Sequence, residues 1–284
     1  MKTLMTHAGI FHADDVFATA LLSIYFKQLN EPFTIKRVTD VSEADANDPE
    51  TIVYDIGGGN FDHHQANDDE IDYHFEETVI PKASFGLLWD ELGFKVIKQS
   101  AKKLGVLPMD DYYEIDHFID SKLVTAIDAA DNGYFLDKFG FNEIIRDFID
   151  ENDLEGSFHQ AVALAEDVLK RRIKNEFNQQ HKAHAILKKT KFITQSIALL
   201  PTHGPIRELI YRHPDLELYI YPSLRGGYNV QTVRHYSPYS HTVTIPKEAI
   251  NLPGVTFVHK DGFLLSAETE EQAINAAKQL YDIV

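Results

Sequence analysis

The sequence contains no cysteine among its 284 residues. This excludes a disulfide framework, and it excludes a thiolate as nucleophile or metal ligand. Any bound metal must therefore be held by histidine nitrogen and carboxylate oxygen. That donor set favours manganese, magnesium, zinc or iron over sites built from soft ligands.

Long apolar runs are also missing. No segment approaches the roughly 20 apolar residues that a membrane-spanning helix requires. The first residues, Met1–Thr6, form too short an apolar segment for a signal peptide, and the polar His7 follows directly. We therefore expect a cytoplasmic protein with no membrane partner.

Basic residues are few in relation to acidic ones. The chain has 27 Lys and Arg against 44 Asp and Glu, a formal net charge of −17. Residues 1–191 carry −15 of this charge and residues 192–284 carry −2. A nonspecific binder of duplex nucleic acid needs a broad basic face, so the charge argues against that class. A small phosphate-bearing substrate is still compatible, because bound dications invert the local field.

Hydrophobic residues make up 44% of the chain, enough for a proper core and for one large domain or two of ordinary size. In the N-terminal part, short β-branched or alternating runs are separated by stretches of helical periodicity. This order predicts an α/β domain with a mainly parallel sheet flanked by helices. The predicted strands are Thr3–Thr6, Phe33–Val38 and Thr51–Ile56, and the predicted helices begin near Asp15, Ser84 and Asp116.

A long helix is predicted from Ser157 to Lys189, with one apolar stripe and no internal glycine or proline. After it the pattern changes to short strands punctuated by Pro and Gly, predicted over Phe192–Leu199, Leu216–Tyr221, Tyr228–Val233 and Val255–Val258. A final helix begins at Thr269 with capping-box spacing to Gln272, and its predicted core positions are Ala273, Ala277 and Leu280. We therefore predict two domains. Residues 1–191 form a metal-binding catalytic domain that includes the linking helix, and residues 192–284 form a smaller α+β substrate-binding domain.

The first polar cluster lies between the first strand and the first helix. It contains His7, His12, Asp14 and Asp15 within nine residues. Imidazole nitrogen and carboxylate oxygen are donors that a divalent metal accepts, and a helix N-terminus stabilises carboxylates and phosphate. Taken singly, Asp14 is also compatible with a simple N-cap, and His12 with a surface imidazole.

The second cluster follows the strand that begins at Thr51. Asp55 comes at the end of an apolar run, where an unpaired carboxylate is costly unless it meets a cation. A glycine triplet then leads to Asp62, His63 and His64. Two-metal sites use a bridging carboxylate between ions about 3.5–4 Å apart, and Asp55 is the candidate for that bridge. The glycine triplet alone is equally compatible with a flexible turn.

The third cluster, Asp128 and Asp131, lies near the end of a predicted helix before an Asn-Gly turn. Asp131 can complete the coordination sphere of the metal. Asp128, one helical turn earlier, can orient a histidine ligand. Which of the two ligates directly is left open by the sequence. A turn with incidental acidic residues is the alternative.

Together, these sequence motifs resemble those of the Myg-type (melanocyte-proliferating-gene) family, which is related to the DHH phosphoesterases. The resemblance rests on the segments around His7, Asp55, His63 and Asp131, and on Phe257–Phe263 near the C-terminus. It implies a DHH-phosphoesterase-like fold and an Mn²⁺- or Mg²⁺-dependent phosphoesterase, with 3′–5′ RNA exonuclease activity in eukaryotic members. The implied metal ligands are His7, His12, Asp14, Asp55, His63 and Asp131, with His64 facing the substrate and Asp62 supporting it.

One departure from the DHH pattern is visible in the first motif. DHH phosphoesterases space it as His-x-x-x-Asp-x-Asp, whereas this chain has His-x-x-x-x-His-x-Asp from His7 through His12 to Asp14. The Myg-type variant shares this spacing.

The C-terminal domain carries a candidate phosphate clamp. Arg225, Gly226 and Gly227 precede a strand with Arg234, and His259 follows later. Glycines let backbone N–H groups approach a phosphate, and arginine binds phosphate bidentately. Ordinary surface arginines and a turn are the alternative interpretation.

The hypothesis from the sequence is a hydrolase in which water, activated by two divalent ions, attacks a phosphorus held between the domains. The expected substrate is RNA or a short oligonucleotide, cut from the 3′ end. The alternatives are pyrophosphate or a small nucleotide as substrate, a metal-dependent amide hydrolase, or a non-enzymatic metal- or nucleotide-binding regulator. An oligomer is compatible with all of these.

Overall fold

The computed structural model describes residues 1–64, 71–75, 78–105, 112–134, 140–233 and 243–283. It divides into two compact units, Met1–Phe177 and Asn178–Val284, and the division falls inside one long helix. The sequence placed the boundary at residue 191, after that helix. No helix among the described residues combines the length and apolar character needed to cross a bilayer.

The first unit is built around a parallel sheet of order β2-β1-β3. A two-stranded antiparallel ribbon and seven helices accompany this sheet in the described part of the unit, the last helix continuing beyond it. The strands are β1 (Lys2–His7), β2 (Phe33–Val38), β3 (Thr51–Val53), β4 (Ile71–Phe75) and β5 (Thr78–Pro81). The helices are α1 (Ala13–Leu29), α2 (Glu43–Ala46), α3 (Ser84–Leu104), α4 (Tyr112–Ile119), α5 (Thr125–Asp131), α6 (Phe141–Arg146) and α7 (Leu154–Lys189).

The expected fold class, mixed α/β with a parallel sheet flanked by helices and a long helix, is confirmed. Helix α1 is buried along almost its whole length and packs against α3. The apolar stripe predicted on the long helix is buried in the same core. Its members are Phe158, Val162, Ala165, Leu169, Ile173 and Phe177.

Two elements of this unit differ from the sequence expectation. Strand β3 ends at Val53 rather than at Ile56, because Asp55 adopts a left-handed backbone conformation with φ of +57° and turns the chain out of the sheet. The helix expected from Asp116 onward begins earlier, at Tyr112, and contains a π-helical turn at Asp120–Val124 between α4 and α5. Sequence periodicity does not resolve a single π turn within a helix.

The second unit contains a six-stranded sheet of order β10-β11-β9-β8-β7-β6. The strands are β6 (Lys191–Phe192), β7 (Ile197–Leu199), β8 (Leu218–Pro222), β9 (Tyr228–Thr232), β10 (Val255–Val258) and β11 (Leu264–Ala267). Helices α8 (Arg207–Arg212) and α9 (Glu270–Ile283) and a 3₁₀ turn (Lys247–Asn251) complete the described part. The single strand expected over Phe192–Leu199 is a hairpin, because the polar residues 194–196 form its turn.

Side chains that alternate along β8 explain how both faces of this sheet are covered. Leu218 and Ile220 pack in a cluster with α9, whereas Tyr219 and Tyr221 belong to a second cluster. The core positions expected on the last helix, Ala273, Ala277 and Leu280, are buried in the first of these clusters. The final strand β11 has no counterpart among the elements expected from the sequence.

Candidate metal centre

The site begins where β1 ends. His7 is the last residue of β1, and a loop of four residues leads to His12 at the start of α1. The backbone N–H of His12 donates to Asp15 Oδ1 at 2.8 Å, which places two acidic residues in the first turn of α1. Asp14 and Asp15 are both fully buried. The positive end of the helix dipole stabilises carboxylates at this position.

Asp55 is placed between two groups of ligands by the turn that follows β3. Its backbone N–H donates to the carbonyl of Phe61, which closes the loop that carries the glycine triplet. Asp55 Oδ2 lies 3.3 Å from His7 Nε2, whereas Oδ1 lies 3.3 Å from His63 Nδ1. The two oxygens of one buried carboxylate therefore face two different histidines.

His63 connects Asp55 to the helical side of the site. Its Nε2 lies 3.0 Å from Asp131 Oδ2. Two ligands about 2.1 Å from one ion and about 90° apart lie about 3 Å from each other, so these separations suit a shared divalent ion. Within the part of the chain that the structure describes, three groups have the spacing that could hold a metal. They are Asp55 with Asp62, His63 and His64; His7 with Asp15 and Asp55; and Asp14 with His63 and Asp131.

The N-terminus of α3 supplies donors to the same carboxylates. The backbone N–H groups of Ser84 and Phe85 donate to the two oxygens of Asp14, at 3.1 and 2.7 Å. The Ser84 hydroxyl donates to Asp55 Oδ1 at 3.1 Å and lies 3.3 Å from His63 Nδ1. A helix N-terminus is thus used to hold negative charge inside the protein.

Asp128 lies behind this layer and is fully buried. Its Oδ1 accepts a hydrogen bond from the backbone N–H of Gly86 at 3.2 Å. A Cβ atom at Gly86 would stand 2.0 Å from Asp128 Oδ2, so the close approach requires glycine. Asp131 belongs to a metal-compatible group and Asp128 belongs to none of the three, which favours Asp131 as the direct ligand.

The crowding of buried carboxylates shifts their pKa values upward. Burial, and then the charge of Asp55, raise the pKa of Asp14 well above its ordinary value. Burial raises the pKa of Asp15 to about 7, although the charge of His7 acts against it. Asp15 Oδ2 is buried and accepts no hydrogen bond from the described part of the chain. Such excess buried negative charge is what a bound cation compensates.

The pKa values of the two inner histidines, His7 and His63, are also raised, which favours the positively charged form of each ring. Burial lowers the pKa of His7, but the hydrogen bond and charge of Asp55 and the charge of Asp15 outweigh it and raise this pKa to about 9. For His63 burial is outweighed by hydrogen bonds to Asp131 and Asp55, which raise the pKa to about 10. Burial acts to raise the pKa of Asp55, yet hydrogen bonds from His63 and His7 lower it below its ordinary value. The two protonated imidazoles therefore offset part of the buried negative charge.

The glycine loop is organised by Asp62. Its Oδ2 accepts from the backbone N–H of Gly58 at 2.6 Å, and its Oδ1 accepts from the backbone N–H of His64 at 3.1 Å. The same Oδ1 lies 2.8 Å from His64 Nδ1. His64 is 59% exposed and stacks on the ring of His63 with centroids 4.3 Å apart. Asp62 therefore sets the position of His64 at the surface of the site.

Of the predicted N-terminal residues, the structure brings His7, Asp14, Asp55, Asp62, His63, His64 and Asp131 into the three groups. His12 is not in these groups. It is exposed, with its ring centroid 6.2 Å from that of His7. The sequence ligand set omitted Asp15 and Ser84. Asp15 had a signal in its position three residues after His12, whereas Ser84 had only its place at the start of a predicted helix.

The predicted phosphate clamp falls in the second unit. Arg225, Gly226 and Gly227 form the exposed turn between β8 and β9, where the backbone N–H of Ser223 donates to the carbonyl of Gly227. Gly227 has φ of +68°, and a Cβ there would stand 2.3 Å from the carbonyl oxygen of Ala267, so this glycine is needed for the turn itself. His259 lies in the β10–β11 hairpin with its ring 4.2 Å from Phe263. Arg234 lies outside the described residues.

The fold and the site together define a mixed α/β protein with histidine–carboxylate groups suited to divalent metal. The chain belongs to the MYG1_exonuc family, described as uncharacterised protein family UPF0160, whose model matches residues 3–280. The resemblance noted in the sequence motifs is thereby confirmed.

Individual members of this family share low sequence identity with the chain. The MYG1 protein of Chlamydia pneumoniae is 29% identical over 147 residues, covering 49% of this chain and 41% of that protein. The MYG1 exonuclease of Rattus norvegicus is 25% identical over 334 residues, covering 96% of this chain and 83% of that protein. The chain therefore matches about two fifths of the chlamydial relative and most of the rat one.

Among solved structures, RecJ from Thermus thermophilus in complex with Mg²⁺ matches with 12% identity and a TM-score of 0.30. The match covers 99% of this chain and 49% of RecJ. A similarity at this level adds nothing to the fold described above.

Proposed function

We propose that this protein is a divalent-metal-dependent phosphoester hydrolase that degrades RNA or short oligonucleotides from the 3′ end. One observation carries the proposal: the two oxygens of Asp55 face His7 and His63 at 3.3 Å each, in two overlapping ligand groups. That is the arrangement a bridging carboxylate needs in a two-ion site. The name of the rat relative, MYG1 exonuclease, supports the substrate class.

The proposed ligands are His7, Asp14, Asp15, Asp55, His63 and Asp131. Mn²⁺ or Mg²⁺ held by these residues would supply an activated water and would neutralise charge on the phosphoryl oxygens. The ligand set includes Asp15 and leaves out His12, because Asp15 faces His7 Nε2 at 3.3 Å whereas His12 is exposed. In this proposal His12 contacts the substrate rather than the metal.

His64 is the proposed proton donor to the substrate. Its Nδ1 lies 2.8 Å from Asp62 Oδ1, so Nδ1 carries a hydrogen towards Asp62 and Nε2 is left to face the substrate. In its doubly protonated form the ring donates from Nε2 to a phosphoryl oxygen or to the leaving oxygen, and the neutral ring with its hydrogen on Nδ1 is left. Asp62 acts through His64 by fixing its ring, in the way a carboxylate orients a catalytic imidazole.

Residues 192–284 are the proposed substrate-binding domain. Arg225 is exposed at a hairpin tip, where a guanidinium is free to meet a phosphate bidentately. Gly226, Gly227, Arg234 and His259 are proposed to complete the phosphate contacts. We expect Arg225→Ala to raise KM for an oligonucleotide and to leave kcat nearly unchanged.

The test is turnover of a 5′-labelled single-stranded RNA with Mn²⁺, followed as a ladder of products. We expect His63→Ala to lose at least about 100-fold in kcat, because it removes an imidazole that is present in two of the candidate metal groups. His181→Ala is the matched control, since it removes a histidine from α7 in a part of the chain without assigned function. The proposal is wrong if the wild-type protein binds Mn²⁺ but hydrolyses neither RNA nor DNA oligonucleotides.

The substrate class is tested in the same assay with other phosphoesters. RNA with a 3′-terminal phosphate separates an exonuclease acting at the 3′ end from an enzyme that cuts internally. Dinucleotides and inorganic pyrophosphate test for a small-substrate hydrolase on the same site. Turnover of pyrophosphate alone would retain the metal-dependent hydrolase and overturn the exonuclease.

A further inference from the structure

We propose that Arg37 is a positioning residue for the metal centre: it holds the loop between β1 and α1 so that His7 faces Asp15 and Asp55. The inference rests on the proposed function in one respect, that His7 is a metal ligand. Arg37 lies on β2, opposite Thr6 in the parallel pairing with β1, and it is not part of any of the three ligand groups.

The Arg37 side chain is buried beneath the loop. It is 1% exposed, and its guanidinium carbon lies 4.3 Å from the ring centroid of Phe158 and 5.6 Å from that of Phe11. The two rings meet edge to face at 5.5 Å. A buried guanidinium is tolerated when hydrogen bonds and aromatic faces replace its hydration. Its position is therefore fixed by packing on the ring faces and by its hydrogen bonds.

The donors of Arg37 are used to hold loop backbone. Nε donates to the carbonyl of His7 at 3.2 Å, and Nη2 donates to the carbonyl of Gly9 at 2.7 Å. Residues 8–11 belong to no helix or strand, and Gly9 has φ of +93°. One rigid planar group thus binds the carbonyl at the end of β1 and a second carbonyl inside the irregular stretch. Binding of the His7 carbonyl restrains the backbone from which the His7 side chain reaches Asp15 and Asp55, each 3.3 Å from Nε2.

The remaining donors of Arg37 attach this arrangement to the start of α7. Nη1 lies 3.5 Å from the carbonyl of Leu154 and 3.1 Å from Glu155 Oε1. Glu155 is largely exposed, so its ion pair contributes little by itself. The structural role of Arg37 therefore depends on the fork geometry of its donors, which lysine cannot reproduce, rather than on charge alone.

The charge of Arg37 also acts on the site. This positive charge has to be kept apart from the hydrogen bonds of the guanidinium when the role of Arg37 is tested. A lysine at position 37 keeps this charge and loses the fork. Arg37→Lys therefore separates the positioning of the loop from the field of a positive charge.

The experiment is Mn²⁺ titration by calorimetry on the full chain, comparing wild type, R37K, H7A and the double variant R37K/H7A. We expect R37K to weaken the ion bound by the His7 group about 10–100-fold, the usual cost of losing a group that orients a ligand. The ion held by Asp14, His63 and Asp131 should change by less than about 2-fold. In the H7A background, R37K should add less than about 2-fold, because the two changes act through one residue.

The matched control is Lys36→Arg, a conservative change at the neighbouring exposed position of β2. It should leave both affinities at their wild-type values. If R37K does not fold, R37Q, whose planar amide can donate to one of the two carbonyls, takes its place in the same cycle.

Three results would overturn the inference. They are wild-type affinity in R37K, equal weakening of both ions, which marks a general structural role, and no Mn²⁺ binding by the wild-type protein. The readout is affinity rather than turnover. A protein that binds Mn²⁺ with the expected coupling and cleaves no phosphoester would contradict the proposed function and retain the role of Arg37.

Discussion

Replacing Asp55 with asparagine tests the centre of the site with little change of shape. In the metal-free protein His7 keeps Asp15 at 3.3 Å and His63 keeps Asp131 at 3.0 Å. The change also removes one of the charges that, after burial, raise the pKa of Asp14. We therefore expect the free energy of unfolding without metal to stay within about 1 kcal/mol of wild type. The loss of about 3–5 kcal/mol that follows when a buried ion pair loses one partner is not expected here.

The metal-bound protein should respond in the opposite way. At a free Mn²⁺ concentration 100-fold above the dissociation constant, binding at one site adds about 2.7 kcal/mol to the free energy of unfolding. Loss of a direct ligand should weaken binding at least about 100-fold, more than the usual effect of an orienting group. The same Mn²⁺ concentration then adds only roughly 0.4 kcal/mol.

The assay is urea unfolding with EDTA and with Mn²⁺, on wild type and Asp55→Asn. Asp167→Asn is the control, because it removes an exposed carboxylate from α7 that pairs only with its helical neighbour Arg171 in the described contacts. The reasoning is refuted if Asp55→Asn keeps the full metal-dependent stabilisation. It is also refuted if the metal-free variant is destabilised by several kcal/mol, since Asp55 would then be chiefly structural.

Three further predictions concern neighbouring positions. Ser84→Ala should weaken Mn²⁺ binding about 10-fold in calorimetry, because it removes the hydroxyl donor to Asp55; an unchanged affinity would contradict this. Gly86→Ala should lower stability by about 1–3 kcal/mol in urea unfolding, because its Cβ would overlap Asp128, whereas Gly140→Ala meets open space and should cost less than about 1 kcal/mol. Burial, and then the charge of Asp120, raise the pKa of Asp116 to about 6, so its contribution to stability is present below about pH 4 and is lost as the pH rises through 6. Asp116→Asn should therefore gain roughly 1 kcal/mol relative to wild type between pH 4 and pH 8, less than the full shift implies because the carboxyl is partly exposed, and equal pH profiles would contradict it.

That the side chains of the candidate metal centre lie close together could be predicted, because they come in three short segments that each follow a strand or end a helix. Asp55, His63 and Asp131 were expected as ligands, and the structure places His63 3.3 Å from Asp55 and 3.0 Å from Asp131. The choice within the first segment was not predictable from spacing. His12 and Asp15 lie on either side of the start of α1, and only the packing of that helix decides that Asp15 is buried and His12 exposed.

Ser84 and Arg37 had no local signal. Ser84 reaches Asp55 across 29 residues, and Arg37 reaches the His7 carbonyl across 30 residues. Both contacts arise because a helix end and a neighbouring strand are brought beside the carboxyl end of β1. A residue pattern within a window of ten or twenty positions carries no information about such contacts.

The sequence by itself determined the donor chemistry, the family and the alternation of strands and helices, because these depend on residue type, motif order and local periodicity. The absence of cysteine alone restricted any metal to nitrogen and oxygen ligands. The tertiary structure decided which oxygen faces which imidazole, and which side chains stand behind the ligands. Those facts depend on the left-handed turn at Asp55, the start of α3 and the buried guanidinium of Arg37, and each of these is fixed only when distant segments pack together.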